Sequence, residues 1–150
     1  MTDHKRILAL DYGAKTVGTA VTDELGLTAV SLETIFREHE KRLRRTCARI
    51  EHIVLEKNIT LILVGLPLNM DGSEGERAEK ARSFAELLRR RTGLPVEMVD
   101  ERLTTEEADL LIRETGNHLK DRKKHIDSMA AAIILEDYLH SSDKAQSYNA

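Results

Sequence analysis

The fold is decided by residues 6–34, which read RILALDYGAKTVGTAVTDELGLTAVSLET. Three short stretches rich in β-forming residues are separated here by turns that contain glycine, a pattern typical of antiparallel strands joined as hairpins. We therefore predict strands over Arg6–Asp11, Val17–Thr22 and Thr28–Thr34, with the first turn at Gly13–Lys15. In the third stretch apolar and polar residues alternate, which predicts one solvated face.

The rest of the chain alternates between helical and strand patterns. Apolar residues recur at helical spacing in two segments, and a near-continuous apolar run between them indicates a strand buried on both faces. Two capping boxes, Ser73 with Glu76 and Thr104 with Glu107, predict helix starts. The predicted elements are a helix over His39–Asn58, a strand over Thr60–Gly65, a helix from Ser73 to Gly93, a strand over Pro95–Asp100, a short helix from Thr104 to Gly116 and a helix over Ile126–Leu139.

This order predicts an α/β fold. Three antiparallel strands followed by two parallel strands form a five-stranded mixed sheet, with the first strand central and helices on both faces. A length of 150 residues, 41% of them hydrophobic, fits one globular domain, which we assign to residues 1–140. Residues 141–150 are predicted to be a flexible tail.

Charge and cysteine content exclude several classes of protein. With 23 Lys and Arg against 26 Asp and Glu, the net charge of −3 excludes a protein that coats nucleic acid by bulk electrostatics. The single Cys47 cannot form an internal disulfide, and we predict it to lie in the core. No signal peptide is visible, and the longest apolar run, Met129–Leu135, is too short to span a membrane. We therefore expect a cytoplasmic protein with no membrane partner.

Candidate catalytic residues cluster where predicted strands end. Asp11 ends the first strand, Glu101 follows the fifth, and Asp127 stands at the start of the last helix. Ligands of open α/β sheets bind at the carboxyl ends of parallel strands. Two carboxylates 4 Å apart repel by about 4 kcal/mol at an effective dielectric of about 20, so such a cluster holds a proton or recruits a cation. Oxygen ligands favour Mg²⁺ or Mn²⁺, and two such ions suit phosphodiester hydrolysis.

Each acid also has a purely structural interpretation. Asp11 is a common residue at the start of a turn, and Asp127 is a common helix N-cap. Glu101 is equally suited to be a solvated acid beyond its strand. Their shared position at one edge of the sheet is what favours a site.

Four blocks of the sequence resemble the signature blocks of the YqgF/RuvX family. They are LALDYGAKTVGTAVTD at Leu8–Asp23, VGLPLNMDGSEGERA at Val64–Ala78, VDERLTTEEA at Val99–Ala108 and HIDSMAAAIILEDYL at His125–Leu139. The resemblance implies a ribonuclease H-like fold and a nuclease that processes the 5′ end of pre-16S ribosomal RNA, or a Holliday junction resolvase. By motif, it assigns the catalytic, metal-binding acids to Asp11, Glu101 and Asp127. In the first block Thr16 stands where the family commonly has arginine, whereas Lys15 is retained.

Substrate contacts are predicted from loops and basic stretches. Asn69 follows the fourth strand in a loop, where it could bind a phosphate or the scissile nucleotide, although the composition of the loop also suits a simple turn. Lys15 could contact a phosphate or remain a solvated lysine of the turn. The segment Arg37–Arg49 has six basic residues against two acidic ones, and Arg113–His125 has five against two. With 3% aromatic residues, an extended base-stacking platform is not expected. Recognition should use the nucleic-acid backbone and its shape.

The leading hypothesis is an endonuclease that uses Mg²⁺ or Mn²⁺ to cleave structured RNA, as a monomer or homodimer. A resolvase acting on branched DNA is the first alternative, and it requires a dimer with two active sites. An actin-like ATPase is suggested by the spacing D-x-G-x-K-x-x-G, although such enzymes need two lobes. A noncatalytic nucleic-acid-binding or ribosome-assembly module is the last alternative, and the three acids argue against it.

Overall fold

A computed structural model describes residues 6–69, 71–100 and 128–141. Five strands form one sheet in the order β3-β2-β1-β4-β5. The elements are β1 (Ile7–Tyr12), β2 (Thr16–Thr22), β3 (Ala29–Phe36), α1 (Arg44–Glu56), β4 (Leu61–Leu66), α2 (Glu76–Thr92) and β5 (Val96–Asp100), with a further helix over residues 128–141.

The strand directions confirm the predicted mixed sheet. β1 pairs antiparallel with β2, and β2 pairs antiparallel with β3. β1 pairs parallel with β4, and β4 pairs parallel with β5. The carboxyl ends of β1, β3, β4 and β5 therefore lie at one edge of the sheet, with β1 in the centre as predicted. We refer to this edge as the carboxyl edge.

Side chains of the central strand alternate between two apolar cores. Leu8, Leu10 and Tyr12 of β1 pack towards α1 and α2, where Cys47 and Phe84 are fully buried. On the other face, the following residues pack together with the helix over residues 128–141: Ile7, Ala9, Leu63, Ala131, Ile134 and Leu135. The predictions that helices cover both faces and that Cys47 belongs to the core are confirmed.

The predicted start of α1 is wrong. The helix begins at Arg44 rather than His39 because residues 37–43 form a separate connection that packs on α2. In that connection the Glu40 carbonyl accepts a hydrogen bond from Arg37 Nε at 3.2 Å, and the Glu40 carboxylate pairs with Arg77 and Lys80 of α2. These contacts hold the segment in turns, although its composition suits a helix.

The predicted capping box at Ser73 is also wrong. α2 begins at Glu76 with Gly75 as its N-cap, and no side chain of the residues that the structure describes caps it. Ser73 is instead engaged by Asp71, whose Oδ1 accepts hydrogen bonds from the Ser73 amide at 2.9 Å and from its hydroxyl at 2.6 Å. An aspartate two residues before a serine competes in this way with helix capping.

Two smaller features concern β3 and the end of α2. The alternation predicted for β3 is blurred by a register shift opposite Gly18 and Ala20, where Thr19 exchanges hydrogen bonds with the Glu33 backbone. Gly93 ends α2 as predicted, in the left-handed conformation at φ +73°.

Several predictions fall on segments that the structure does not describe. They are the short helix from Thr104 to Gly116, the basic stretch Arg113–His125, and the tail 141–150 apart from residue 141, which is helical. In the described part of the chain, no helix has the length and apolar character needed to cross a membrane.

Candidate active site

Asp11 lies near the carboxyl end of the central strand and is half-buried. Because side chains alternate along a strand, it shares a face with Ile7 and Ala9, the face covered by the helix over residues 128–141. That helix approaches the sheet near its own beginning, where the Ser128 carbonyl accepts a hydrogen bond from Ser31 of β3 at 3.3 Å. Asp11 thus points to the side of the sheet where that helix begins.

Glycines flank Asp11 on both neighbouring strands. Asp11 pairs with Gly18 of β2, and one residue beyond the Leu10–Val64 pair it is level with Gly65 of β4. Glycine is a poor strand former, and in a strand interior it often marks a close approach of a ligand or backbone. Because Gly18 and Gly65 have no side chains, no group projects from either neighbouring strand beside the Asp11 carboxylate.

Lys15 is exposed in the turn that follows Asp11. The turn is closed by the Gly13 amide, which donates to the Thr16 carbonyl at 2.7 Å. A Cβ at residue 13 would lie only 3.1 Å from Thr16 Oγ1. Glycine at this position therefore lets the backbone of the turn lie close to the buried Thr16 side chain. Thr16, at the position where the resemblance places arginine, therefore packs against the turn.

An arginine from another element reaches the same turn. Arg37, at the end of β3, donates from Nη2 to the Gly13 carbonyl at 2.6 Å, and its amide donates to the Lys15 carbonyl at 2.8 Å. Its guanidinium lies 4.7 Å from the centre of the Tyr12 ring. Arg37 therefore ties the Lys15 turn to the connection before α1.

The Tyr12 ring is at the centre of a wider network. It stacks on Phe84 with the ring centres 4.3 Å apart, and Arg77 approaches it at 5.8 Å. Arg77 and Lys80 both bind the Glu40 carboxylate, and their hydrogen bonds hold the pKa of that carboxyl below its usual range. Sequence reasoning missed this network because its members come from three separate segments; the only signal was the unusual density of charge after β3.

Asn69 is exposed in the loop after β4, on the carboxyl edge as predicted. Its amide nitrogen donates to Ser73 Oγ at 3.0 Å, and its backbone exchanges hydrogen bonds with Gly72 and Ser73. A hydrogen bond from Ser73 also lowers the pKa of Asp71. Asn69 thus helps to hold the shape of this loop.

Two predicted site residues, Glu101 and Asp127, lie outside the described residues. The described chain reaches Asp100 at the end of β5 and resumes at Ser128. Within the described segments no group of three or more His, Cys, Asp or Glu side chains is arranged to hold a metal ion. Of the three predicted acids, the structure therefore locates Asp11.

Comparison with known proteins gives concordant matches over most of the chain. The model of the RuvX family, described as a Holliday junction resolvase, matches residues 5–141. A protein of Lachnospira eligens named "Putative pre-16S rRNA nuclease" is 52% identical over 139 residues, covering 93% of this chain and 99% of the relative. A protein of Agathobacter rectalis with the same name is 50% identical, covering 89% and 94%.

Two solved structures of RuvC resemble this chain in fold. RuvC of Thermus thermophilus in complex with a Holliday junction substrate aligns with a TM-score of 0.61 and 18% identity, over 93% of this chain and 97% of that one. A second RuvC structure from the same organism aligns at 0.55 and 15%. These likenesses confirm the predicted ribonuclease H-like fold.

Proposed function

Because this chain belongs to the RuvX family, we propose that it is a metal-dependent endonuclease that hydrolyses phosphodiester bonds and processes the 5′ end of pre-16S ribosomal RNA. The observation that carries the proposal is the position of Asp11. Its carboxylate lies on the carboxyl edge between two glycines, where ligands of α/β sheets bind.

Asp11, Glu101 and Asp127 are proposed as the catalytic acids that hold the metal. The donor set fits, because carboxylate oxygens are preferred ligands of Mg²⁺ and Mn²⁺. Connectivity supports the grouping, since Glu101 directly follows Asp100 at the end of β5 and Asp127 directly precedes Ser128. When bound, two divalent ions supply Lewis-acid stabilisation of charge on the phosphate and a lowered pKa of water.

The remaining site residues are proposed to bind and orient the substrate. Lys15 is exposed two residues beyond Gly13 and carries a positive charge to the same edge as Asp11. We assign it to a phosphate oxygen near the scissile bond. Asn69, in the loop held by Ser73, is assigned to a sugar or phosphate oxygen on the β4 side of Asp11.

A Holliday junction resolvase is the second candidate function. It is favoured by the description of the matching family and by the likeness in fold to RuvC. A resolvase needs two active sites on opposite strands, hence a dimer. The mass of the protein in solution, with and without a four-way junction, separates this candidate from a monomeric RNA-processing enzyme.

The test is a cleavage assay with two substrates. The purified protein is incubated with Mn²⁺, with Mg²⁺ or with EDTA, on an RNA that joins the 5′ leader to the mature end of 16S RNA and on a four-way DNA junction. We expect cleavage of the RNA that requires the metal and exceeds cleavage of the junction. Preference for the junction would favour the resolvase, and absence of metal-dependent cleavage of either substrate would contradict the proposal.

A further inference from the structure

A basic groove begins beside the end of β3, on the side of the sheet covered by α1 and α2. It has a volume of about 990 Å³ and opens between the connection 37–43, the first turn of α1 and the last turns of α2. Among the described residues that line it, Glu38 is the one acid, and Leu43 and Leu87 contribute apolar surface. Its basic lining consists of Arg37, Lys41, Arg42, Arg44, Arg45 and Arg91.

Four of these cations are exposed and uncompensated. Within residues 6–69, 71–100 and 128–141, no carboxylate lies within 4 Å of the side-chain nitrogens of Lys41, Arg42, Arg44 or Arg45. Most other basic residues of the sheet and helices are paired with acids, namely Arg49, Arg77, Lys80, Arg82, Arg89 and Arg91. Four neighbouring cations without an acidic partner in the described structure are therefore gathered in the groove.

The position of this charge is unfavourable for the fold itself. Arg44 and Arg45 occupy the first turn of α1, where the helix dipole favours negative charge; that turn contains no acidic residue, and no side chain in the described part of the chain caps it. Arg37, which also lines the groove, is only 9% exposed, and its Nη1 has no hydrogen-bond partner in the described structure. An anion bound at the first turn of α1 would relieve the cost of the positive charge there.

An aromatic side chain stands beside this charge. Phe36, the last residue of β3, lines the groove and is 54% exposed. Aromatic side chains next to a positively charged groove are typical of proteins that bind unpaired nucleic acid, because an unpaired base stacks on the ring while the cations contact its phosphates. A duplex keeps its bases stacked on each other and presents no base face to Phe36.

The groove is physically joined to the site around Asp11. Arg37 contacts both Gly13 and Lys15 in the turn after β1. β3 and β1 are separated only by β2, which places them about 10 Å apart across the sheet. Asp11 faces the helix over residues 128–141 and the groove lies on the side of α1 and α2, so a nucleic-acid strand would cross the carboxyl edge at the Lys15 turn to reach both.

We propose that this groove binds an unpaired segment of the substrate next to the scissile phosphate, with Phe36 stacking on a base and the four exposed cations contacting phosphates. The inference rests on the proposed nuclease function. It adds a requirement that the sequence did not suggest, namely that the substrate be single-stranded on one side of the cleavage point.

The test measures binding without catalysis. Fluorescence anisotropy in EDTA is used with a fluorescein-labelled 12-nucleotide unpaired RNA and a 12-base-pair RNA duplex. We expect the unpaired RNA to bind more tightly than the duplex, and Phe36→Leu to weaken its binding by about 5- to 150-fold while Phe36→Tyr retains it. Arg45→Glu should weaken binding and reduce the salt slope by about 0.7 for each phosphate that is no longer neutralised.

Lys57→Glu is the matched control, since it makes the same charge change at the far end of α1. Circular dichroism establishes that each variant is folded. The inference is overturned if the duplex binds as tightly as the unpaired RNA, if neither probe binds, or if Phe36→Leu and Arg45→Glu bind no worse than Lys57→Glu. Cleavage is scored separately, so failure of the groove and failure of the nuclease assignment give different results.

Discussion

Replacing Arg37 by methionine tests whether the network around Tyr12 stabilises the carboxyl edge. The substitution keeps an unbranched side chain of similar length but removes the guanidinium. It eliminates two hydrogen bonds, to the Gly13 carbonyl at 2.6 Å and to the Glu40 carbonyl at 3.2 Å. It also removes the cation–π interaction with the Tyr12 ring, whose centre lies 4.7 Å from the guanidinium.

The expected loss in free energy of unfolding follows from these interactions. Hydrogen bonds from a charged donor contribute about 1.5–3 kcal/mol each, and the cation–π interaction about 1 kcal/mol. Burial of the guanidinium opposes them, because one of its nitrogens has no partner in the described structure. We expect Arg37→Met to lower the free energy of unfolding by about 2–4 kcal/mol.

The assay is urea unfolding at pH 7 followed by circular dichroism at 222 nm. The control is Arg49→Met, which removes an exposed ion pair with Glu33 and should cost less than about 1 kcal/mol. Arg37→Lys keeps the positive charge but cannot donate to the Gly13 and Glu40 carbonyls at the same time. Its loss of unfolding free energy should therefore be more than half of the loss in Arg37→Met. The reasoning is refuted if Arg37→Met costs no more than Arg49→Met.

Two further predictions concern stability. Arg77 and Lys80 lower the pKa of the Glu40 carboxyl in the folded state, so its stabilising effect is present above the pH where free glutamate titrates, about 4.3, and is lost as pH falls below it. Glu40→Gln should therefore lower the melting temperature at pH 7, and the difference from wild type should shrink steadily as pH is lowered from about 4.3 through the lowered pKa of the folded state; a difference independent of pH would contradict this. Gly93→Ala should cost about 1 kcal/mol in urea unfolding, because φ is +73° and no atom of the described residues lies within 4 Å of the added Cβ, whereas Gly93→Asn should cost less.

Patterns of apolar residues were sufficient to predict the sheet. The two turns before β3 predict antiparallel hairpins, and the continuous apolar run of β4 predicts a strand buried on both faces. Few topologies satisfy both conditions, so together they determine the order and direction of the strands. The position of Asp11 on the carboxyl edge followed from this order. The pattern did not predict which glycines flank it, since register depends on pairing between strands.

Side-chain contacts between distant segments were beyond sequence reasoning. The helix starting at His39 failed because Glu40 is held by α2, and the capping box failed because Asp71 competes for Ser73. The sequence shows Arg37 only as part of a basic stretch, whereas the structure buries it against Tyr12. In each case a tertiary or short-range polar interaction overrides the local propensity.

The central claim, that Asp11 is a catalytic metal ligand, is tested most directly by one comparison of cleavage rates. The RNA leader substrate is cleaved in Mn²⁺ by wild type, by Asp11→Asn and by Asp23→Asn, a control whose aspartate closes a turn at the opposite edge of the sheet through a 2.8 Å hydrogen bond from Leu27. We predict that Asp11→Asn stays folded and that its cleavage rate falls by more than about 100-fold. Mutation of a residue that only hydrogen-bonds to a metal ligand typically lowers activity by about 10- to 100-fold, so the larger loss identifies Asp11 as a ligand. Asp23→Asn should retain the rate, and cleavage by Asp11→Asn at the wild-type rate would contradict the account.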